Sequence, residues 1–108
     1  METETMKTML VLNISPELED DLVDYLLAQE HVTGFTSYPV RGHGEHSYLS
    51  IAEQVSGRRK RVQFELIMAE AEVASVISKL ATEVGIGIGY WQLPVSNVGR
   101  VTGDTARH

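Results

Sequence analysis

The chain contains no cysteine. That absence excludes a disulfide framework and every thiolate metal site, and it suits a reducing cytoplasm. Long hydrophobic runs are missing as well. The longest near the start is Met9-Leu10-Val11-Leu12, far short of the ~20 residues a membrane-crossing helix needs. The opening Met1-Glu2-Thr3-Glu4 is acidic, unlike the basic start of a signal peptide. A cytoplasmic protein with no membrane insertion is the expectation. Basic charge is scarce too: 9 Lys and Arg stand against 15 Asp and Glu, for a net charge of −6. Residues 1–53 hold ten acids and two bases, residues 54–108 five acids and seven bases. No sustained basic footprint for a nucleic acid exists.

With 108 residues and an apolar fraction of 43%, residues 1–108 read as one domain large enough to bury a core. Residues Thr8 to Ile14 predict a strand, with Leu10, Leu12 and Ile14 on one side and Met9, Val11 and Asn13 on the other. Ser15-Pro16-Glu17 predicts a helix start, with serine as N-cap and proline in the first turn. Leu18, Leu22 and Leu26 form its apolar stripe, and the helix fades near Glu30-His31, where the imidazole faces the negative end of the dipole. Phe35 to Val40 predicts a second strand, with Pro39 marking an edge or a bulge.

Arg61 to Met68 alternates: Val62, Phe64 and Leu66 inward, Arg61, Gln63 and Glu65 outward. Ala69 to Val84 predicts one amphipathic helix with Val73, Val76, Ile77, Leu80 and Val84 buried, stopped by Gly85. Tyr90 to Val95 is the last strand, and 96–108 is a polar tail. The order βαββαβ predicts an α+β, ferredoxin-like sandwich. Right-handed crossovers place both helices on one face. Met9, Val11 and Ile67 are then left uncovered on the other, so a homo-oligomer is expected.

Between the second and third strands lies a long loop, about 42–60, well above the usual connection length and of the kind that carries function. Within it His43, Glu45 and His46 make one metal-ligand cluster suited to a divalent transition metal, with Glu53 or a neighbouring subunit as a further ligand. A solvated polar loop is the first reading of these residues, and the metal site the second. Arg58-Arg59-Lys60-Arg61 reads first as a solvated loop end and second as a phosphate or partner contact. Gly85-Ile86-Gly87-Ile88-Gly89 lacks the lysine of a P-loop, so a tight turn is the simpler reading of it. Trp91 reads as core or interface.

Several chemistries are unsupported. The loop after the first strand, Asn13-Ile14-Ser15-Pro16, has no arginine for an acylphosphatase-type site and no Cys-x-x-Cys for a heavy-metal domain. Val62-Gln63-Phe64-Glu65-Leu66 lacks the paired aromatics of an RNA-recognition module. No catalytic triad or carboxylate pair stands out, and a non-enzymatic protein is the expectation.

The long loop, the glycine turn before the last strand, and Val98-Gly99-Arg100-Val101-Thr102-Gly103 together resemble the PII superfamily. By motif the chain resembles a divergent PII-like group associated with heavy-metal efflux pumps of the RND type. Gly42-His43-Gly44 and the run from Leu49 to Arg58 carry that likeness. The resemblance implies a homotrimeric signalling protein with ligand clefts between subunits. It makes the 42–60 segment a partner-contacting T-loop, with Gly42, Tyr48, Arg58 and Arg59 as contact residues. It implies an adenine nucleotide or other anion near Gly87, Gly89, Arg100 and Thr102, and an efflux transporter as partner. The chain departs from nucleotide-binding PII proteins, which carry Gly-Asp-Gly-Lys where it has Gly87-Ile88-Gly89-Tyr90.

Overall fold

The computed structural model describes residues 6–43 and 59–103. Alternating apolar residues build a four-stranded antiparallel sheet whose centre is β1 (Lys7–Ile14) and β3 (Arg59–Ala69). The edges are β2 (Thr36–Gly42), paired to β3, and β4 (Gly89–Val95), paired to β1, in the order β2-β3-β1-β4. In register, Leu10 faces Leu66, Leu12 faces Phe64 and Ile14 faces Val62. Directly opposed residues share a sheet face, so these pairs form one apolar layer. Phe35 adds a ring 5.7 Å from that of Phe64, tilted by 40°.

Both helical segments cover this layer, because residues of each join the strand residues in a single core. Pro16 opens a 3-10 turn (Pro16–Leu18), followed by α1 (Glu19–Leu27). Leu22, Tyr25 and Leu26 lie at helical spacing and are buried. The Tyr25 hydroxyl donates to the Val76 carbonyl at 2.7 Å, tying α1 to the second helical segment across the core. That segment is broken where one helix was expected: a 3-10 turn (Glu70–Glu72), then α2 (Val73–Ser78) and α3 (Leu80–Glu83). The β-branched Val73, Val76 and Ile77 weaken helix propensity, and Ser78 Oγ donates back to the Ser75 carbonyl at 3.1 Å. The break falls at Lys79, with φ −104° and ψ −2°. Leu80 is buried, while Ile77 and Val84 pack partly buried against the core.

Gly85 ends the helical segment, its N–H reaching the Leu80 carbonyl at 2.9 Å. Its need for glycine is steric and not conformational: a β-carbon there would meet Leu18 Cδ2 at 3.0 Å. His31 does not rest on the helix dipole as expected. Its Nε2 lies 2.9 Å from Glu72 Oε2, so it bridges the two helical segments when protonated.

The outer sheet face differs in one respect from expectation. Val11 is only 1% exposed within a single chain, flanked in register by the larger Glu65 and Trp91. Met9 and Ile67 are half-buried, whereas Trp91 and Leu93 of β4 are exposed. The uncovered apolar surface is therefore centred nearer the β4 edge.

Two outcomes follow from the core. Leu12→Ala removes a fully buried side chain and should lower unfolding free energy by about 2–5 kcal/mol in urea denaturation. Burial, with a smaller contribution from the Glu83 carboxylate, pushes the Tyr25 phenol above its ordinary value near 10. A raised folded-state value means that its stabilisation is complete below the unfolded value and is lost as pH climbs through the folded one. Above about pH 10, the stability of the parent should fall more steeply than that of Tyr25→Phe.

Candidate functional site

Arg61 stands on the outer-face side of β3, as its alternation predicts, yet it is not solvated: only 6% of it is exposed. Its Nε donates to Asn13 Oδ1 at 2.6 Å, and Nη1 to Ser15 Oγ at 3.0 Å. Nη2 donates to the backbone carbonyls of Asn13 at 2.8 Å and Gly87 at 3.1 Å. A buried guanidinium needs its fork of donors filled, and the turns at two strand ends supply the acceptors. Ser15 consequently does not cap the helix; no side-chain cap bond forms there, and its hydroxyl accepts from Arg61 instead.

The glycine turn fits this arrangement because Gly87 adopts φ +78°, a left-handed conformation that brings its carbonyl to the guanidinium. Among the described residues it is the one glycine with a positive φ. Gly89 then opens β4 opposite Asn13.

A cavity of about 470 Å³ lies over this junction, lined by Asn13, Ser15, Arg59, Arg61, Gly87, Gly89 and Trp91. Two of its walls are arginines and, among the described residues, none is a carboxylate. In a chain of net charge −6, that is a local reversal of sign. The half-exposed Trp91 ring forms an apolar wall instead of joining the core. Arg59 enters from the base of the long loop, since β3 begins at that residue and pairs with Gly42.

A polar chain runs from the cavity across the outer sheet face. Asn13 Nδ2 donates to Gln63 Oε1 at 3.2 Å, and Gln63 Nε2 to the Tyr38 hydroxyl at 3.0 Å. Tyr38 in turn donates to the Glu65 carboxylate. That bond to a carboxylate favours the protonated phenol and raises its pKa above the ordinary tyrosine value.

Of the residues singled out by sequence, Gly87, Gly89 and Arg59 meet in the cavity. Arg100 and Thr102 are exposed in the segment after β4 and are not among its lining residues within one chain. Gly42 closes β2, and His43 is exposed beside it. Glu45, His46, Tyr48, Glu53 and Arg58 lie outside the described residues. Among the described residues no group of three His, Cys, Asp or Glu side chains is placed to hold a metal ion. Likewise, no helix there is long and apolar enough to cross a membrane. Asn13 and Ser15 were not anticipated as site residues, and Arg61 was read only within the basic run, first as solvated and second as a phosphate or partner contact. The signal available for Asn13 was a polar side chain interrupting an otherwise apolar central strand.

The fold is PII-like. The chain is similar to Arabidopsis thaliana PII bound to citrate, at 22% identity over 91% of this chain and 82% of that one, with a TM-score of 0.68. It is also similar to a Bacillus cereus protein related to NIF3, at 15% identity, TM-score 0.65, covering 89% of this chain and 27% of that one. A protein of the DUF3240 family from Shewanella baltica OS155 has 25% identity, TM-score 0.74, and coverage of 93% and 100%. Residues 4–102 match the family described as "Protein of unknown function (DUF3240)", and the chain belongs to that family. No curated protein matches it.

Arg61→Lys keeps the charge but loses the fork that reaches separate acceptors. With buried acceptors left unmatched, it should cost about 1–3 kcal/mol in a urea titration. Gly87→Ala forces a β-carbon into left-handed backbone and should cost about 1–2 kcal/mol in the same assay.

Proposed function

We propose that the protein is a non-enzymatic, PII-like regulator that binds a small anion in the cavity lined by Arg59 and Arg61 and signals through the long loop that precedes Arg59. The observation that carries this reading is the cavity itself. It joins two arginines, a serine, an asparagine, the glycine turn and an aromatic wall, in an otherwise acidic chain. Such a surface concentrates anions and accepts a carboxylate or phosphate through charge-assisted hydrogen bonds. The similar plant PII was crystallised bound to citrate, a polycarboxylate, which supports the same ligand class here.

Arg59 gives the coupling its route. It lines the cavity and opens the strand that follows the loop, so an anion drawing on its guanidinium acts directly on the loop's base. A coupling of about 1–3 kcal/mol between ligand and partner would follow. The subunits assemble as a homotrimer in this reading, supported by the PII-like fold and by the exposed Trp91 and Leu93. Arg100 and Thr102 of a neighbouring subunit would then complete the ligand cleft. A heavy-metal efflux transporter as the partner rests on the family resemblance alone.

Native mass spectrometry with citrate, adenine nucleotides and divalent metals added separately tests this directly. A trimer that retains an anion is expected, with Arg59→Ala weakening retention about tenfold, or ~1.4 kcal/mol. A monomer at micromolar concentration, or indifference to every anion, overturns it. Replacing residues 43–57 by a short turn should abolish partner capture and leave the trimer whole.

A further inference from the structure

The lining of the cavity is one-sided in its hydrogen bonding. Arg59, Arg61 and Trp91 carry N–H donors and no side-chain acceptor. Among the described residues, Asn13 and Ser15 supply the side-chain oxygens of the lining, and both already accept from Arg61, at 2.6 Å and 3.0 Å. The backbone carbonyls of Asn13 and Gly87 are taken by the same guanidinium. That of Ser15 accepts from the Leu18 N–H at 3.0 Å. Asn13 and Ser15 are therefore left with hydrogens to offer a ligand: the second Nδ2 hydrogen of the amide and the proton of the hydroxyl.

Asn13 would present its oxygen to a ligand only by turning its amide over, and it is held against turning from both sides. A guanidinium only donates, so Arg61 Nε requires Oδ1 on its own side of the amide. On the other side Nδ2 donates to Gln63 Oε1, Gln63 Nε2 to the Tyr38 hydroxyl, and that hydroxyl to the Glu65 carboxylate. A carboxylate only accepts. With a donor-only group at one end and an acceptor-only group at the other, every bond of the chain runs in one direction. Both amides are locked.

We propose that the cavity selects oxyanions that bear no proton, carboxylates and sulfate, over hydrogen-bearing ones such as hydrogen phosphate and bicarbonate. Asn13, fixed by Arg61 and by the chain that ends on Glu65, is the residue that sets this preference. An acceptor-only oxyanion meets donors on the lining in every orientation. One that carries an O–H must turn that hydrogen out to solvent, because other orientations set donor against donor and leave both unmatched. The inference rests on anion binding in this cavity, and it names the class of anion.

Isothermal titration of the full chain with sulfate and with inorganic phosphate, at matched ionic strength, tests it. At about pH 8 both anions carry close to two negative charges and differ by one hydrogen, so net charge does not decide between them. Sulfate is expected to bind about tenfold more tightly, or ~1.4 kcal/mol. Asn13→Asp keeps the shape and an acceptor for Arg61 but puts a second acceptor where Nδ2 stood. Its added charge weakens both anions, and the ratio between them should move about tenfold towards hydrogen phosphate. Urea denaturation of the variant checks that it folds, and the comparison in the parent does not depend on it. Phosphate binding as tight as sulfate in the parent overturns the proposal and leaves anion binding standing. A folded Asn13→Asp with the parent's ratio overturns the role of Asn13. Binding of neither anion overturns the proposal as well, and failure of citrate and adenine nucleotides in the same titration would remove the functional reading with it.

Discussion

One buried guanidinium organises the end of the sheet at which the cavity lies. Arg61 reaches the side chain and carbonyl of Asn13, the hydroxyl of Ser15 and the carbonyl of Gly87, so three backbone segments remote in sequence share one cation. Taking such a charge out of water is costly unless every direction of the fork meets an acceptor. That requirement dictates the local backbone. Gly87 must turn left-handed, Ser15 must forgo capping its helix, and Asn13 must sit in a strand where an apolar residue would otherwise pack.

The same constraint gives the two cavity arginines different surroundings. Arg61 is committed to holding the walls together, whereas Arg59, two residues towards the loop on the same strand, lines the cavity beside it. The hydrogen-bonded chain from Asn13 through Gln63 and Tyr38 to Glu65 extends the polar arrangement to the far edge. The outer face is thus divided: polar and internally bonded towards β2, apolar and exposed towards β4. Division of one face in this way places the arginine-lined cavity and the apolar edge side by side, with Trp91 common to both.

Much of the fold was legible in the sequence because sheet and helix periodicities are strong, local signals. The alternation in residues 8–14 and 61–68, the leucine spacing of the first helix and the glycines before the last strand each placed an element within a few residues. The second helix was drawn too long because apolar periodicity continues through Lys79 while the backbone does not. Val11 was misjudged because its burial depends on which residues flank it in register, not on its own strand.

The sequence by itself determined which residues must be buried together, since the hydrophobic effect acts on composition and period, and it located the loop and glycine turn as the unusual segments. Only the tertiary structure decided what Arg61, Asn13, Ser15 and Gly87 do. A hydrogen bond or a cavity wall depends on distances of a few ångströms between residues dozens of positions apart, and no local pattern encodes those. An arginine beside a basic run looks like a solvated surface until the end of β1 and the turn before β4 close around it.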